Sequence, residues 1–134
     1  MIKEIETQTT DKFDVTNINH YIEAAVKESG VKDGICIVYV AHATAAIIIN
    51  ENDDPNIQDD FLEALDKMIP LHAGYKHDRI DGNAAAHIKA SILGPSETIP
   101  IKDGKLTLGR WQSVMLAEFD GPRKRKVIIK IIEG

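Results

Sequence analysis

A chain of 134 residues, 43% of them hydrophobic, can bury well over half of its unfolded surface in one core and is too short for two independent domains. Sixteen Lys and Arg against 21 Asp and Glu leave a net charge of −5, which favours solubility and counts against a broad nucleic-acid footprint, because such a footprint needs a basic surface. Cys36 is the only cysteine, so an internal disulfide and a cysteine-based zinc cage are excluded and a reducing cytoplasm is the expected setting. Met1 to Thr10 carries no basic patch ahead of an apolar run, and the most apolar stretch, Gly34 to Ile49, is interrupted by His42 and Thr44. Neither a signal peptide nor a membrane span is expected.

Ile2 to Thr9 alternates as a first strand. Thr16 or Asn17 then caps a helix to Ser29, with Ile18, Ile22, Ala25 and Val26 at helical spacing and Gly30 placed to end it. Gly34 to Ala41 and Ala45 to Asn50 are rich in branched residues and predict two buried strands separated by a bend at His42 to Thr44. Asp54 followed by Pro55 opens a second helix whose inner face is Ile57, Phe61, Leu65 and Met68, ending at Pro70. A polar segment, Leu71 to Asp81, leads to Gly82-Asn83 and a short third helix, with Ala84, His87, Ile88, Ser91 and Ile92 on one face and Gly94 at its end. Glu97 to Ile101 and Lys105 to Leu108 flank Asp103-Gly104, the signal for a type I′ hairpin. Ser113 to Phe119 and Lys126 to Ile132 are expected to pair around Asp120-Gly121-Pro122. The result is an α+β fold, an antiparallel-rich β-sandwich-like sheet with three helices covering one face, in one domain spanning 1–134. Apolar surface left uncovered would be hidden by forming a homo-oligomer.

Five histidines, at 20, 42, 72, 77 and 87, are the most informative chemical feature. Neutral imidazole is the commonest protein metal ligand, and three of them with one open position make a catalytic divalent-metal site. His42, His77 and His87 suit that role by residue type, although their separations match no compact metal signature; the competing reading is that they are satisfied polar residues or solvated ones. Glu51 follows an apolar strand and is the candidate acid/base or metal neighbour, whereas Asp53 and Asp54 are better explained by the positive end of the helix they precede. Asn83 opens a helix whose free N–H groups can approach a phosphate, with Lys89 a turn and a half on. No Walker loop or dinucleotide fingerprint occurs, so no nucleotide cofactor is expected. Arg123 belongs to the only basic run, Arg123 to Lys126, which serves as a solvated guard against edge pairing or as an anion contact. Trp111 reads as a core anchor or a pocket wall, with Gln112 offering an amide to a ligand, and Cys36 as a buried small hydrophobe.

Several segments taken together, His42-Ala43-Thr44-Ala45, Asn50-Glu51-Asn52 with Asp54-Pro55, Tyr75-Lys76-His77-Asp78, Ala86-His87-Ile88-Lys89-Ala90-Ser91, Leu93-Gly94 and Gly109-Arg110-Trp111-Gln112, resemble the YjbQ-like family, the secondary thiamine-phosphate synthases, over nearly the whole chain. The resemblance implies a small α+β protein, typically trimeric, with its histidines gathered in a pocket that can hold a metal ion. Carried onto these positions, it promotes His42, His77 and His87 as metal and catalytic residues, with zinc the expected ion, and Glu51 as their carboxylate neighbour. Ser91, Trp111 and Gln112 become pocket candidates. The family usually has Thr where Arg110 stands and commonly Thr at Ala43, so the polarity of the rim departs from its pattern and Arg110 is read as a phosphate contact or a solvated side chain. The implied reaction couples a hydroxymethylpyrimidine pyrophosphate to a thiazole phosphate as a secondary activity, with Lys89, Arg110, Arg123 or the metal stabilising the departing pyrophosphate. A metal-assisted phosphate-ester hydrolase and a non-catalytic metal or metabolite module are the alternatives.

Overall fold

Strict alternation in the strand Asp33–Val40 sends Cys36, Val38 and Val40 to one side and Ile35, Ile37 and Tyr39 to the other, so one face of its sheet is a core face and the other is open. The computed structural model describes all residues 1–134. In chain order the elements are β1 (Ile2–Gln8), β2 (Asp14–Asn17), α1 (Asn19–Ser29), β3 (Asp33–Val40), β4 (Ala45–Glu51), α2 (Pro55–Met68), a 3₁₀ turn (Lys76–Arg79), α3 (Ala84–Leu93), β5 (Ser96–Lys102), β6 (Lys105–Leu106), β7 (Gln112–Glu118) and β8 (Lys124–Glu133). All strand pairings are antiparallel, in one sheet of order β1-β8-β3-β5-β6 and a second of order β2-β7-β4. This is the α+β, sandwich-like architecture with three helices that the patterning predicts. No helix is long and apolar enough to cross a membrane.

The main core lies between the two sheets, where Cys36, Val38, Val40, Ile129 and Ile131 of the large sheet meet Ala45, Ile47, Val114 and Leu116 of the small one. Burial there pushes the Cys36 thiol up to about 11, in keeping with a packing role rather than a nucleophilic one. Only α1 joins this core, through Ile22, Ala25 and Val26. The other two helices pack on the opposite face of the small sheet, against Ala46, Ala117 and Phe119, so the helices do not share one sheet face. Small residues on that face let α3 come close through Ala86 and Ala90. Accordingly α3 buries Ala84, Ala85, Ala86, Lys89 and Ala90, while Ile88, Ser91 and Ile92 of the periodic face point outward. Met68, expected on the inner face of α2, is 73% exposed, and Leu65 is the only residue within that helix that is buried.

Three further expectations change. Residues 14–17 form β2 in register with β7, so the helix begins at Asn19 rather than at a Thr16 or Asn17 cap; Asn17 Oδ1 still accepts the Asn19 N–H at 2.9 Å. The polar segment before α3 contains a 3₁₀ turn. Finally, β7 and β8 do not pair with each other; they belong to different sheets. Gly121 sits in the crossing between them, where a Cβ would lie 2.3 Å from the Asp11 carbonyl oxygen and 2.8 Å from Glu118 Cγ, leaving space for glycine alone. The β5–β6 hairpin is as expected, with positive φ at both Asp103 (52°) and Gly104 (76°).

A buried ion pair joins the sheets. Glu118 of β7 is 0% exposed and Arg125 of β8 is 2% exposed. The carboxylate accepts from Arg125 Nε and Nη2, from Thr9 Oγ1 at 2.8 Å, and from the backbone N–H groups of Phe119 and Asp120 at 3.0 and 3.1 Å. Arg125 Nη2 also donates to Thr44 Oγ1 at 2.8 Å. Removing one partner strands the other charge in a desolvated site, so Arg125→Met is expected to lower stability by about 3–5 kcal/mol. Urea unfolding checks this as a fall in midpoint at unchanged slope.

Candidate functional site

Two adjoining clefts share one side chain. The first, about 460 Å³, is lined by Tyr75, Lys76, His77, Ala84, His87 and Ile88. The second, about 510 Å³ and more polar, is lined by Ala43, Thr44, Asp81, Asn83, His87, Asp120 and Arg123. His87 is common to both linings. It projects from the first turn of α3, and that helix start is positioned by a distant carboxylate: Asp78 Oδ1, from the 3₁₀ turn, accepts the Ala84 N–H at 3.0 Å. The same turn presents His77, whose ring stands edge-on to that of His87 at 4.9 Å between centroids, with Nε2 3.8 Å from Asp81 Oδ2.

Asn83 occupies the position before α3, yet its side chain does not cap the helix; Nδ2 donates to Asp120 Oδ2 at 3.0 Å. Its Oδ1 is buried and has no hydrogen-bond partner, although the residue itself borders the polar cleft. Arg123 is held beside it, with Nε donating to the Asp120 carbonyl at 2.7 Å and Nη2 to Asp120 Oδ2 at 3.0 Å. The cleft therefore offers one imidazole, one amide, two carboxylates and one guanidinium that already leans on a carboxylate.

The other expected site residues lie elsewhere. His42 Nε2 accepts the Lys126 N–H at 2.9 Å, which commits that lone pair and leaves the proton on Nδ1. Burial first, then the nearby Arg125, Lys126 and Arg123 charges, hold the His42 imidazole below its ordinary value, while Glu118 opposes them. No three His, Cys, Asp or Glu side chains are grouped so as to hold a metal ion, so His42, His77 and His87 do not form a ligand set within one chain. Glu51 is at the far end of β4: it pairs with Gln112, while Ala45 at the near end pairs with Glu118, a separation of about 20 Å at ~3.4 Å per residue. Its carbonyl accepts from Gln58 Nε2 at 2.7 Å, and it lines a different pocket.

Lys89 does not reach a phosphate. It is 1% exposed, its Nζ is 3.5 Å from Asp66 Oδ1 and 4.4 Å from the centre of the Phe13 ring, and burial lowers its pKa against the opposing pull of Asp66. Ser91 Oγ donates to the His87 carbonyl at 2.9 Å. Gln112 Oε1 accepts the Gly109 N–H at 2.7 Å. Trp111 is 52% exposed, not a core anchor, and carries the Arg110 guanidinium 4.8 Å from the ring centroid. Asp81 and Asp120 carry no mark of a site in the sequence, since each stands beside a glycine as turn residues do; the donor and acceptor pairing of Asn83 with Asp120, 37 residues apart, leaves no local signal.

A folded-state depression of the His42 pKa means the unfolded chain binds the proton more readily. Its contribution to stability is present above the unfolded value, about 6.5, and is lost as the pH falls from there through the lower folded value. Proton NMR of the imidazole is expected to give a His42 midpoint below 6.5, with the Lys126 amide resonance moving in the same titration.

Comparison with known proteins agrees over the full length. The pattern of the family described as UPF0047 protein YjbQ-like matches residues 3–134. The UPF0047 protein of Methanocaldococcus jannaschii is 46% identical over 132 residues, covering 98% of this chain and 94% of that protein, and UPF0047 protein YugU of Bacillus subtilis is 38% identical over 133 residues, covering 98% and 99%. Among solved structures, a protein of unknown function from Sulfolobus solfataricus P2 superposes with a TM-score of 0.97 at 36% identity, covering 100% of this chain and 97% of that one. A yjbq/upf0047 family protein from Clostridium acetobutylicum gives 0.94 at 48% identity, covering 97% and 99%. The chain belongs to the UPF0047, YjbQ-like family.

Proposed function

We propose that the chain is a small cytoplasmic enzyme that acts on a phosphate-bearing heterocycle in the paired clefts around His87, with the coupling of a hydroxymethylpyrimidine pyrophosphate to a thiazole phosphate as its reaction. The observation that carries this reading is the grouping of Asp81, Asn83, Asp120 and Arg123 with His87 around one polar cleft. An aminopyrimidine brings N–H donors that suit those acceptors, and its flat ring suits the walls formed by Tyr75, Ala84 and Ile88. Arg123 supplies the guanidinium for the pyrophosphate arm.

On this reading the thiazole nitrogen attacks the pyrimidine methylene carbon. A carbon–nitrogen bond forms, the carbon–oxygen bond to pyrophosphate breaks, and the departing group leaves with the bonding pair. His87 donates a proton to the departing oxygen, and Asp81 and Asp120 lower the cost of the positive charge that builds on the heterocycle. His42 takes no part in this cleft, its Nε2 accepting the Lys126 N–H. Self-assembly belongs to the same reading: Ile35, Tyr39 and Ile132 leave an apolar patch on the outer face of the large sheet, and the resemblance favours a trimer.

The test is a coupling assay with both precursors and full-length protein. His87→Ala is expected to lower turnover by ~10²–10⁴-fold at unchanged melting temperature, and Arg123→Gln to act mainly on the KM for the pyrophosphate substrate. Release of phosphate from simple esters without any coupling would replace the synthase with a hydrolase. Full coupling activity in His87→Ala would remove the site altogether.

A further inference from the structure

The largest of the well-formed cavities, about 750 Å³, is not at the histidines; it opens between α1 and the β5–β6 hairpin. Its volume is in the range of small-molecule sites. Four cations line it, Lys27, Lys32, Lys105 and Arg110, against the two acids Glu23 and Asp103. In a chain of net charge −5 that local excess is opposite in sign to the whole. None of the four takes part in a salt bridge, as is also true of Lys67, Lys76, Arg79, Lys102, Lys124 and Lys130, so what marks them is their convergence on one cleft. Glu23 is already engaged, accepting from Asn19 Nδ2 at 2.7 Å.

Two of the cations are held against neighbouring groups. The Arg110 guanidinium lies over the exposed Trp111 ring, a stacking that orients the planar fork and leaves its N–H edge for an anion. The Lys32 side chain runs along Gly104, with Cδ and Nζ each 3.3 Å from where a Cβ would stand, and the Lys32 carbonyl accepts the Gly104 N–H at 3.1 Å. The hairpin tip thus lies alongside the lysine. A concave surface lined by one sign of charge concentrates counter-ions from solution.

We propose that this cleft is a second ligand site, separate from the His87 clefts, which binds a small phosphorylated molecule carrying at least two negative charges. It stands independently of the proposed reaction, since none of its lining residues borders His87.

Inorganic pyrophosphate is the probe, titrated into the full-length protein with two-dimensional NMR and calorimetry at low and at physiological salt. The expected result is saturable binding with shifts of the Lys32, Gly104, Lys105 and Arg110 amides. The Lys32→Gln/Arg110→Gln double variant should weaken the binding that the Lys32, Gly104 and Lys105 amides report at least ten-fold, and leave unchanged any separate pyrophosphate binding that the His87 and Arg123 amides report. Because Lys32 and Arg110 are exposed, the double variant should keep its melting temperature. Unchanged affinity in the double variant, or shifts confined to His87 and Arg123, overturns the proposal. So does equal binding of sulfate, which would mark a simple ion atmosphere, or tighter binding of a single-stranded oligonucleotide than of pyrophosphate, which would mark a nucleic-acid surface.

Discussion

The pairing of Glu118 with Arg125 is the constraint on which the rest of the arrangement depends. Two sheets packed through aliphatic side chains have no intrinsic preference for how far one slides along the other, because hydrophobic burial is non-directional. A bidentate contact between β7 and β8 removes that freedom. Thr9 and Thr44 bring the ends of β1 and the start of β4 to the same point, so four segments from distant parts of the chain are held at one polar node. Thr44 and Asp120, which belong to that node, also line the His87 cleft. The geometry of the candidate site is therefore an extension of the device that aligns the sheets.

Much of the architecture is legible in the residues because its signals are local. Asp103-Gly104 specifies a hairpin through its own backbone preferences, and Asp54-Pro55 starts α2 by chemistry confined to one turn, with Asp54 Oδ1 accepting the Asn56 N–H at 2.9 Å. What is not legible is which strand lies beside which. β7 and β8 are neighbours in sequence with a turn between them, and hairpin pairing is the simplest outcome; each instead finds partners far along the chain. The orientation of α3 has a similar origin. With Ala84, Ala85, Ala86 and Ala90 in a ten-residue helix, the apolar pattern barely distinguishes one side from another, and the small side chains of Ala46 and Ala117 opposite then select the side that fits closest.

The candidate site was readable to the same degree. His77 and His87 meet because a turn and a helix ten residues apart lie side by side. Residue type and the family resemblance group His42 and Glu51 with them, yet position along a strand decides which end of the sandwich a side chain serves. Seven residues of β4 carry Glu51 to the opposite end, together with Arg110, Trp111 and Gln112 on the chain leading into β7. The polar groups of this protein are thus divided between two ends, one with imidazoles and charges of both signs and one with an excess of cations beside an exposed indole.

Helix α2 follows from the same division. Leu65 is its one buried residue, and Met68 near its end is in solvent. An element so thinly attached contributes little to the global unfolding barrier and detaches at low cost. Its amide protons should exchange through partial opening events well before those of β7 or β8, and any molecule that covers its bare flank would silence that breathing.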